Sequence, residues 1–470
     1  QRSLVGSEMC IRDSGDTYIM NKMKKSNYNI IIRGEKASLI FNSFTNSYIA
    51  LSNAVCDAFE SLSIEDFKHK YENSYHKLCD NGVIIPKTKD ELAIIRYRNK
   101  VATFGSRELR IVVYPTQDCN LKCWYCYENH VPHTRMKKDT ICKIIKFVEK
   151  SINENSFDDF YITLFGGEPF IDFDTIAYPL LKHLKEVIEK AGKKFSAFFV
   201  TNASLINEDI INKLKILKPH LQITLDGNKE HHDKIRIYKD GNKPTYDHIL
   251  WVIHRLSQEI EGDNFSITLR INYDNSTLDG IPEILERIKD IDRKKIFVHF
   301  ERVWQTENDS TEQTRDLLRN VMKRFIKAGF CVGQGTFRGY PYSCPSDINN
   351  SIVINYDGSI HKCNGRTLSS LTKYGILNDD GSLDIDENLL AKRHSVATFE
   401  NKECLNCKML PVCMGPCSQK MLEHDGKWSK SICSLRSIDT SLNDYLVTDF
   451  WVKSMIQKYL SLIHISEPTR

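Results

Sequence analysis

The residues best suited to chemistry in this sequence are its cysteines, above all those in Asp118-Cys119-Asn120-Leu121-Lys122-Cys123-Trp124-Tyr125-Cys126-Tyr127. This run places three thiols on one short loop, directly after an apolar segment, Arg110 to Pro115, that reads as a strand. The number is informative. A closed structural zinc site takes four ligands, and an ordinary four-iron cluster takes four cysteines. Three leave one iron with an open position at which a substrate can bind.

A second array lies far along the chain. Cys344 is followed by thirteen residues, Gly358, four more residues and Cys363; then come Cys404-x2-Cys407-x5-Cys413-x3-Cys417 and, after a gap, Cys433. Zinc stays open as a physical alternative, because the two-residue spacing suits it equally well. A disulfide framework belongs to short secreted domains, whereas most of the fifteen cysteines of this 470-residue chain crowd before residue 130 and after residue 330. Cys56, Cys79 and Cys142 fall in helical patterns with apolar neighbours and read as buried packing residues.

Elements must hold these residues in place. From Leu109 the pattern alternates strand and helix: RIVVYP, FYITLF, KFSAFFV, LQITLDG, FSITLRIN and KIFVHF are the strands. Helices are predicted from Lys138, near Thr175 to Lys190, near Asn207 to Leu217, and around Tyr246 to Ile260, Ile281 to Ile288 and Glu312 to Ala328. Six apolar strands alternating with amphipathic helices predict an α/β fold with a parallel sheet buried on both faces, and chemistry at the C-terminal ends of its strands. The first strand delivers the cysteine loop there. The second delivers Phe165-Gly166-Gly167-Glu168-Pro169, a tight turn where two missing side chains let a ligand approach the backbone. Thr201-Asn202, Thr224, Asp226, Arg236, Arg270 and Asn272 are polar groups at or near the same rim. Before all this, NIIIRG, ASLIF and SYIAL read as a small sheet, followed by helical patterns over Ser52 to Leu62, Ile64 to Cys79 and Lys89 to Val101.

Cysteines separated by three and then two residues on the loop after the first strand resemble the signature of the radical S-adenosylmethionine superfamily. The resemblance implies a partial (β/α)6 TIM-like barrel. It makes Cys119, Cys123 and Cys126 the ligands of a catalytic [4Fe-4S] cluster, with S-adenosylmethionine on the open iron. Tyr125 then lies near the adenine, and Gly166, Gly167, Glu168 and Pro169 hold the methionyl ammonium. Among the remaining rim groups, Thr224, Arg236 and Asn272 are weighted most for contacts to the carboxylate and ribose. Reductive cleavage of S-adenosylmethionine to a 5′-deoxyadenosyl radical, which takes a hydrogen from the substrate, is the implied chemistry.

The seven later cysteines resemble the SPASM domain with its two auxiliary [4Fe-4S] clusters. Carried over, Cys404, Cys407, Cys413 and Cys433 ligate the distal cluster, and Cys344, Cys363 and Cys417 the proximal one. That proximal set is one short, and Cys331, thirteen residues before Cys344, is the candidate fourth ligand. Three clusters are expected in all. Relatives with this array form thioether or carbon–carbon links in ribosomally made peptides or mature sulfatases under anaerobic conditions. Sulfatase maturases typically follow the second SPASM cysteine with an aspartate base, whereas this chain has Cys363-Asn364-Gly365-Arg366, and an amide cannot take that proton.

The reading is therefore an oxidoreductase that modifies a short precursor peptide or protein, fed by an external donor such as flavodoxin or ferredoxin. An anaerobic sulfatase-maturating, formylglycine-generating enzyme is the alternative. An iron–sulfur electron carrier without its own chemistry and a zinc-bound peptide-binding module represent other classes. The expected domains are a winged-helix-like peptide-recognition module over 24–105, the barrel over 106–330 and the auxiliary-cluster domain over 331–450. A formal charge of +4 demands no nucleic-acid partner, and no stretch approaches eighteen uninterrupted apolar residues, so no membrane span is expected. The first residues lack the apolar core of a secretory signal, which places the chain in the cytoplasm. Met9 to Ser14 and Ser461 to Arg470 resemble translated sequencing-adapter DNA, so 1–19 and 461–470 are set aside as tails, with Met20 or Met23 as the expected start and a truncation expected near Leu460.

Overall fold

The computed structural model describes residues 22–241, 243–262, 265–303, 305–306, 312–334, 342–366, 368–396, 398–437 and 440–465. The expected tail 1–19 and the final residues 466–470 lie outside these. Residues 461–465, expected as tail, continue the helix Leu442–Ile465, since Leu460-Ser461-Leu462-Ile463 contains no helix breaker. The chain divides into two compact units, one running to Arg96 with Asn406–Val412, the other comprising Tyr97–Leu405 and Cys413 onward. That division falls inside the helix Glu91–Phe104, not at the expected boundary of 105.

The first unit carries β1 (Met23–Lys25), β2 (Asn29–Arg33), β3 (Ala37–Asn42), β4 (Ser47–Ser52) and β5 (Ile84–Pro86). β2, β3 and β4 form an antiparallel sheet in that order, and β1 pairs with β5. Ile40, Phe59, Phe67, Leu78 and Ile84 make its core. Ser52 and Ser63 cap the first two helices, each hydroxyl accepting from a backbone N–H of the first turn. The helix expected over Ile64 to Cys79 is two, Ile64–Lys70 and Glu72–Asp80, broken at Tyr71 (φ −137°) by nothing in its residue types.

The second unit is built on one sheet of eleven strands. These are β6 (Glu108–Val113), β7 (Asp159–Leu164), β8 (Lys194–Thr201), β9 (His220–Thr224), β10 (Ser266–Tyr273), β11 (Ile296–Arg302), β12 (Cys331–Gln334), β13 (Ser351–Ile354), β14 (Ser359–His361), β15 (Lys373–Leu377) and β16 (Leu383–Ile385). Their order is β12-β11-β10-β9-β8-β7-β6-β13-β14-β15-β16, open at both ends. The strands from β12 to β13 are parallel, and β14 to β16 return antiparallel. This large, mostly parallel sheet is consistent with the expected partial TIM-like barrel.

Two expectations need correcting. The parallel run holds β12 and β13 beyond the six strands foreseen; both are short, four-residue runs that carry little periodic signal. Nor is the sheet buried on both faces. Ile111, Ile162, Phe199, Ile223, Leu269 and Val298 are fully covered, whereas Arg110, Thr163, Gln222, Arg270 and His299 on the opposite face are half-exposed. Each large apolar side chain removed from water contributes roughly 1.5–3 kcal/mol, so the helix-facing side fixes the register and leaves the other free for polar groups. Among the described residues no helix is long and apolar enough to cross a membrane.

Candidate functional site

The loop after β6 is tied down by backbone and carboxylate. Leu121 bridges to Tyr238, Lys122 N donates to Ile237 O at 2.9 Å, and Lys239 N donates to Asn120 O at 2.9 Å. The Asp118 carboxylate accepts from Cys119 N (2.9 Å), His133 N (3.0 Å) and Lys239 Nζ (3.2 Å). Burial pushes the Asp118 carboxyl up, but these donors outweigh it and hold it below its usual value. Cys119 is buried, Cys123 half-buried and Cys126 exposed, with Cys123 within electrostatic reach of both others. Burial, reinforced by Glu168, pushes the Cys119 thiol up to about 12. Iron must therefore displace a proton to be bound there.

The turn after β7 packs on this loop. Gly167 N donates to Thr116 O (3.2 Å) and Glu168 N to Asp118 O (2.9 Å). A Cβ on Gly167 would fall 1.8 Å from Asp118 O, and Gly166, at φ +117°, would put one 2.3 Å from Thr116 O. The missing side chains let the neighbouring cysteine loop pack against this turn. Pro169 is buried beside them. Glu168 is itself buried, accepting from Thr201 Oγ1 (2.7 Å), Asn202 N (2.8 Å) and Phe170 N (3.1 Å), and burial raises its carboxyl to about 7. A carboxylate offers about four acceptor sites, so one stays available. Asn202 Nδ2 points to Cys119 Sγ (3.8 Å) and Asn120 Oδ1 (2.9 Å).

A second polar knot gathers the later rim residues. The Tyr125 hydroxyl donates to Asp226 and accepts from Arg236 Nη1 (2.7 Å) and Asn272 Nδ2 (3.2 Å). Asp226 accepts from Asn272 N and Nδ2 (3.0 and 3.1 Å) and faces Arg236 at 3.6 Å. Burial pushes the Asp226 carboxyl up against the pull of Arg236. His232 Nδ1 accepts from Asp226 N at 3.1 Å. Thr224, buried at the end of β9, pairs with Arg270 in register. Arg236 Nε is buried without a hydrogen-bond partner among the described residues. An unsatisfied cationic donor beside three thiols suits a group bearing a carboxylate or ribose hydroxyl.

Residues 113–288 match the profile of the Radical SAM superfamily. The chain carries a radical SAM domain. The cyclopropyl synthase TigE of Paramaledivibacter caminithermalis is 22% identical over 417 residues, 79% of this chain and 81% of that protein. A cysteine-type anaerobic sulfatase-maturating enzyme of Clostridium novyi is 23% identical over 348 residues, 66% and 88% of the two chains. The solved structure of anSMEcpe with bound AdoMet aligns with TM-score 0.52 at 17% identity, covering 77% of this chain and 98% of that one. Streptococcus suis SuiB bound to S-adenosylmethionine aligns with TM-score 0.50 at 16% identity, over 88% and 100%. These two likenesses establish the fold. This chain is a radical SAM enzyme.

Beyond its radical SAM core, the second unit brings Cys344, Cys363 and Cys417 within electrostatic reach of one another. Burial pushes the Cys363 thiol up to about 11. Cys331 opens β12, at one end of the sheet, and burial alone raises its thiol, with no other cysteine of the described residues within electrostatic reach. Asn401 Nδ2 donates to Cys404 Sγ (3.3 Å), and Cys413 Sγ donates to Gly415 O (3.5 Å). Cys407, in the first unit, accepts from Met409 N at 3.4 Å, while Cys404, Cys413 and Cys433 belong to the second. Cys56 is buried as expected, Cys79 half-buried, and Cys142 is exposed on the outer face of the helix Lys138–Asn153. Glu128 escaped the sequence reading although it follows Cys126 by two residues. It accepts from the Tyr114 hydroxyl at 3.4 Å, and burial raises it to about 7. The Tyr114 and Tyr127 hydroxyls also reach Asn364 O, each at 3.4 Å.

Proposed function

We propose that this radical SAM enzyme oxidatively modifies a ribosomally made peptide, forming a thioether or carbon–carbon link, with a catalytic cluster on Cys119, Cys123 and Cys126 and two auxiliary clusters. The observation that carries the reading is the convergence on one sheet of two cysteine trios, one at the rim after β6 and one around β13 and β14. One trio suits a cluster that binds S-adenosylmethionine; a further trio suits one that accepts the electron lost by the substrate radical as it becomes the oxidised product. When bound, the catalytic cluster and S-adenosylmethionine supply reductive cleavage and a hydrogen-abstracting radical.

The chain's own residues do the rest. Glu168, with one acceptor site left, takes the methionyl ammonium, while the free Nε of Arg236 offers a donor to the carboxylate and the Asn272 amide oxygen an acceptor to a ribose hydroxyl. Tyr125 lies against the adenine and Thr224 lines the same rim. Proximal ligands are Cys344, Cys363 and Cys417; distal ligands, carried by the SPASM resemblance, are Cys404, Cys407, Cys413 and Cys433. Peptide modification is favoured over sulfatase maturation because Asn364 stands where those maturases place an aspartate, and an amide cannot take that proton. The three-stranded sheet of the first unit offers an open edge on which an extended leader peptide can pair.

About twelve iron atoms per chain are expected after anaerobic reconstitution, four for each of three clusters. Changing Cys119, Cys123 and Cys126 together to Ala should remove about a third of the iron and abolish 5′-deoxyadenosine formation by the reduced protein. Unchanged iron and unchanged 5′-deoxyadenosine in that variant would overturn the assignment.

A further inference from the structure

Arg393, on the helix Glu387–Ser395, is a full positive charge with a side chain that is 0% exposed. Its Nε donates to Ser346 O (3.0 Å) and to Asp347 Oδ1 (2.9 Å), and its Nη2 donates to Ser346 Oγ (2.8 Å). That hydroxyl lies 3.1 Å from Cys344 Sγ. Nη1 donates to Gln419 Oε1 at 3.0 Å, two residues past Cys417, and Asp347 accepts from Ser418 Oγ at 2.7 Å. One guanidinium thus links the segments that carry Cys344 and Cys417, and it is electrostatically coupled to Cys363.

Among the described residues Asp347 is the carboxylate that Arg393 meets, and that side chain is 23% exposed, so water screens the negative member of the pair more than the positive one. A second buried cation adds to the imbalance. Lys362 is 5% exposed and donates to Ile348 O (2.8 Å) and Ser351 O (2.6 Å), with no carboxylate in hydrogen-bond contact. At Cys363 the charge felt is the Arg393 cation, and at Cys344 it is the Asp347 carboxylate. Net charge, burial and hydrogen bonds near a cluster set its reduction potential.

We propose that Arg393 is a positioning and tuning residue for the proximal cluster, its buried charge raising the potential at which the cluster takes up one electron. The couple is [4Fe-4S]2+ plus one electron giving [4Fe-4S]1+, with no proton moved and dithionite or titanium(III) as the reductant in the test. This rests on the assignment of Cys344, Cys363 and Cys417 to that cluster.

The experiment is a redox titration of the full chain, reconstituted with ferrous iron and sulfide and followed by electron paramagnetic resonance. The variant Cys344→Ala/Cys363→Ala/Cys417→Ala identifies the proximal signal by its loss along with about four irons; if that signal and iron persist, the ligand assignment itself is wrong. Arg393→Gln should keep all iron and lower the reduced-to-oxidised ratio of that signal at fixed potential by about tenfold, which is about 59 mV for one electron. Arg393→Lys should restore most of the ratio. Asp347→Asn, which removes the countercharge, should shift the ratio in the opposite direction. Opposite signs cannot come from loosened packing. Loss of the proximal iron in Arg393→Gln, an unmoved ratio, or shifts of the same sign in Arg393→Gln and Asp347→Asn would each overturn the tuning role.

Discussion

Glu168 is the side chain on which pH acts most directly. Burial raises its carboxyl from 4.5 to about 7, so between those values the native chain holds a proton that the unfolded chain has lost. Stability from this group is full below pH 4.5 and declines as pH rises through that window. The shift corresponds to about 3 kcal/mol. Glu168→Gln in the metal-free protein should flatten the decline, and urea unfolding at pH 5 and pH 7.5 reads the difference; equal slopes in both proteins would remove Glu168 as the cause. Cys331 makes a second residue-scale case. Sequence spacing nominated it as a ligand, but among the described residues no other thiol lies within electrostatic reach of it. Cys331→Ser should accordingly leave iron content and cluster spectra as they are, and a loss of iron would restore the nomination. The cysteine spacings of both arrays were plain in the sequence. Glu128 was not, because a lone carboxylate gains significance only when burial and the Tyr114 hydroxyl surround it.

At the scale of elements, the sheet of the first unit supplies the test of peptide recognition. Among the described residues β4 pairs with β3 alone and so stands at an edge of the sheet. Successive N–H groups of a strand point to opposite sides, so one of Ile49 and Ala50 faces outward. Proline at that position removes the donor on the open side and spares the ladder to β3. We expect it to weaken modification of the precursor peptide encoded beside this gene by tenfold or more while leaving cleavage of S-adenosylmethionine intact, read as peptide mass against 5′-deoxyadenosine. Full modification by both proline variants would make this sheet a structural cap. The periods of two and of 3.6 residues found these strands and helices, since each must bury one side of itself whatever lies next to it. The break at Tyr71 was invisible because no residue there opposes a helix.

For the whole molecule, the consequential pairing is β13 alongside β6, with Ile352 opposite Ile111 and Val353 opposite Val112. The segment expected to form a separate domain after residue 330 thus continues the catalytic sheet. A chain ending at residue 350 should expose the β6 edge and appear in the insoluble fraction, whereas a soluble, monomeric product on size-exclusion chromatography would show that the boundary at 330 is real. The sequence by itself determined the radical SAM signature, the polar rim residues, the alternating α/β pattern and the small sheet ahead of it, because thiol spacing and hydrophobic period are local properties. Only the tertiary structure decided that Gly166 and Gly167 yield to a neighbouring loop, that Cys331 opens an outer strand of the sheet, and that Arg393 lies buried beside the segments of Cys344, Cys363 and Cys417. Each of those depends on which distant strands become neighbours, and strand order is fixed by the packing of the entire sheet, not by any one segment.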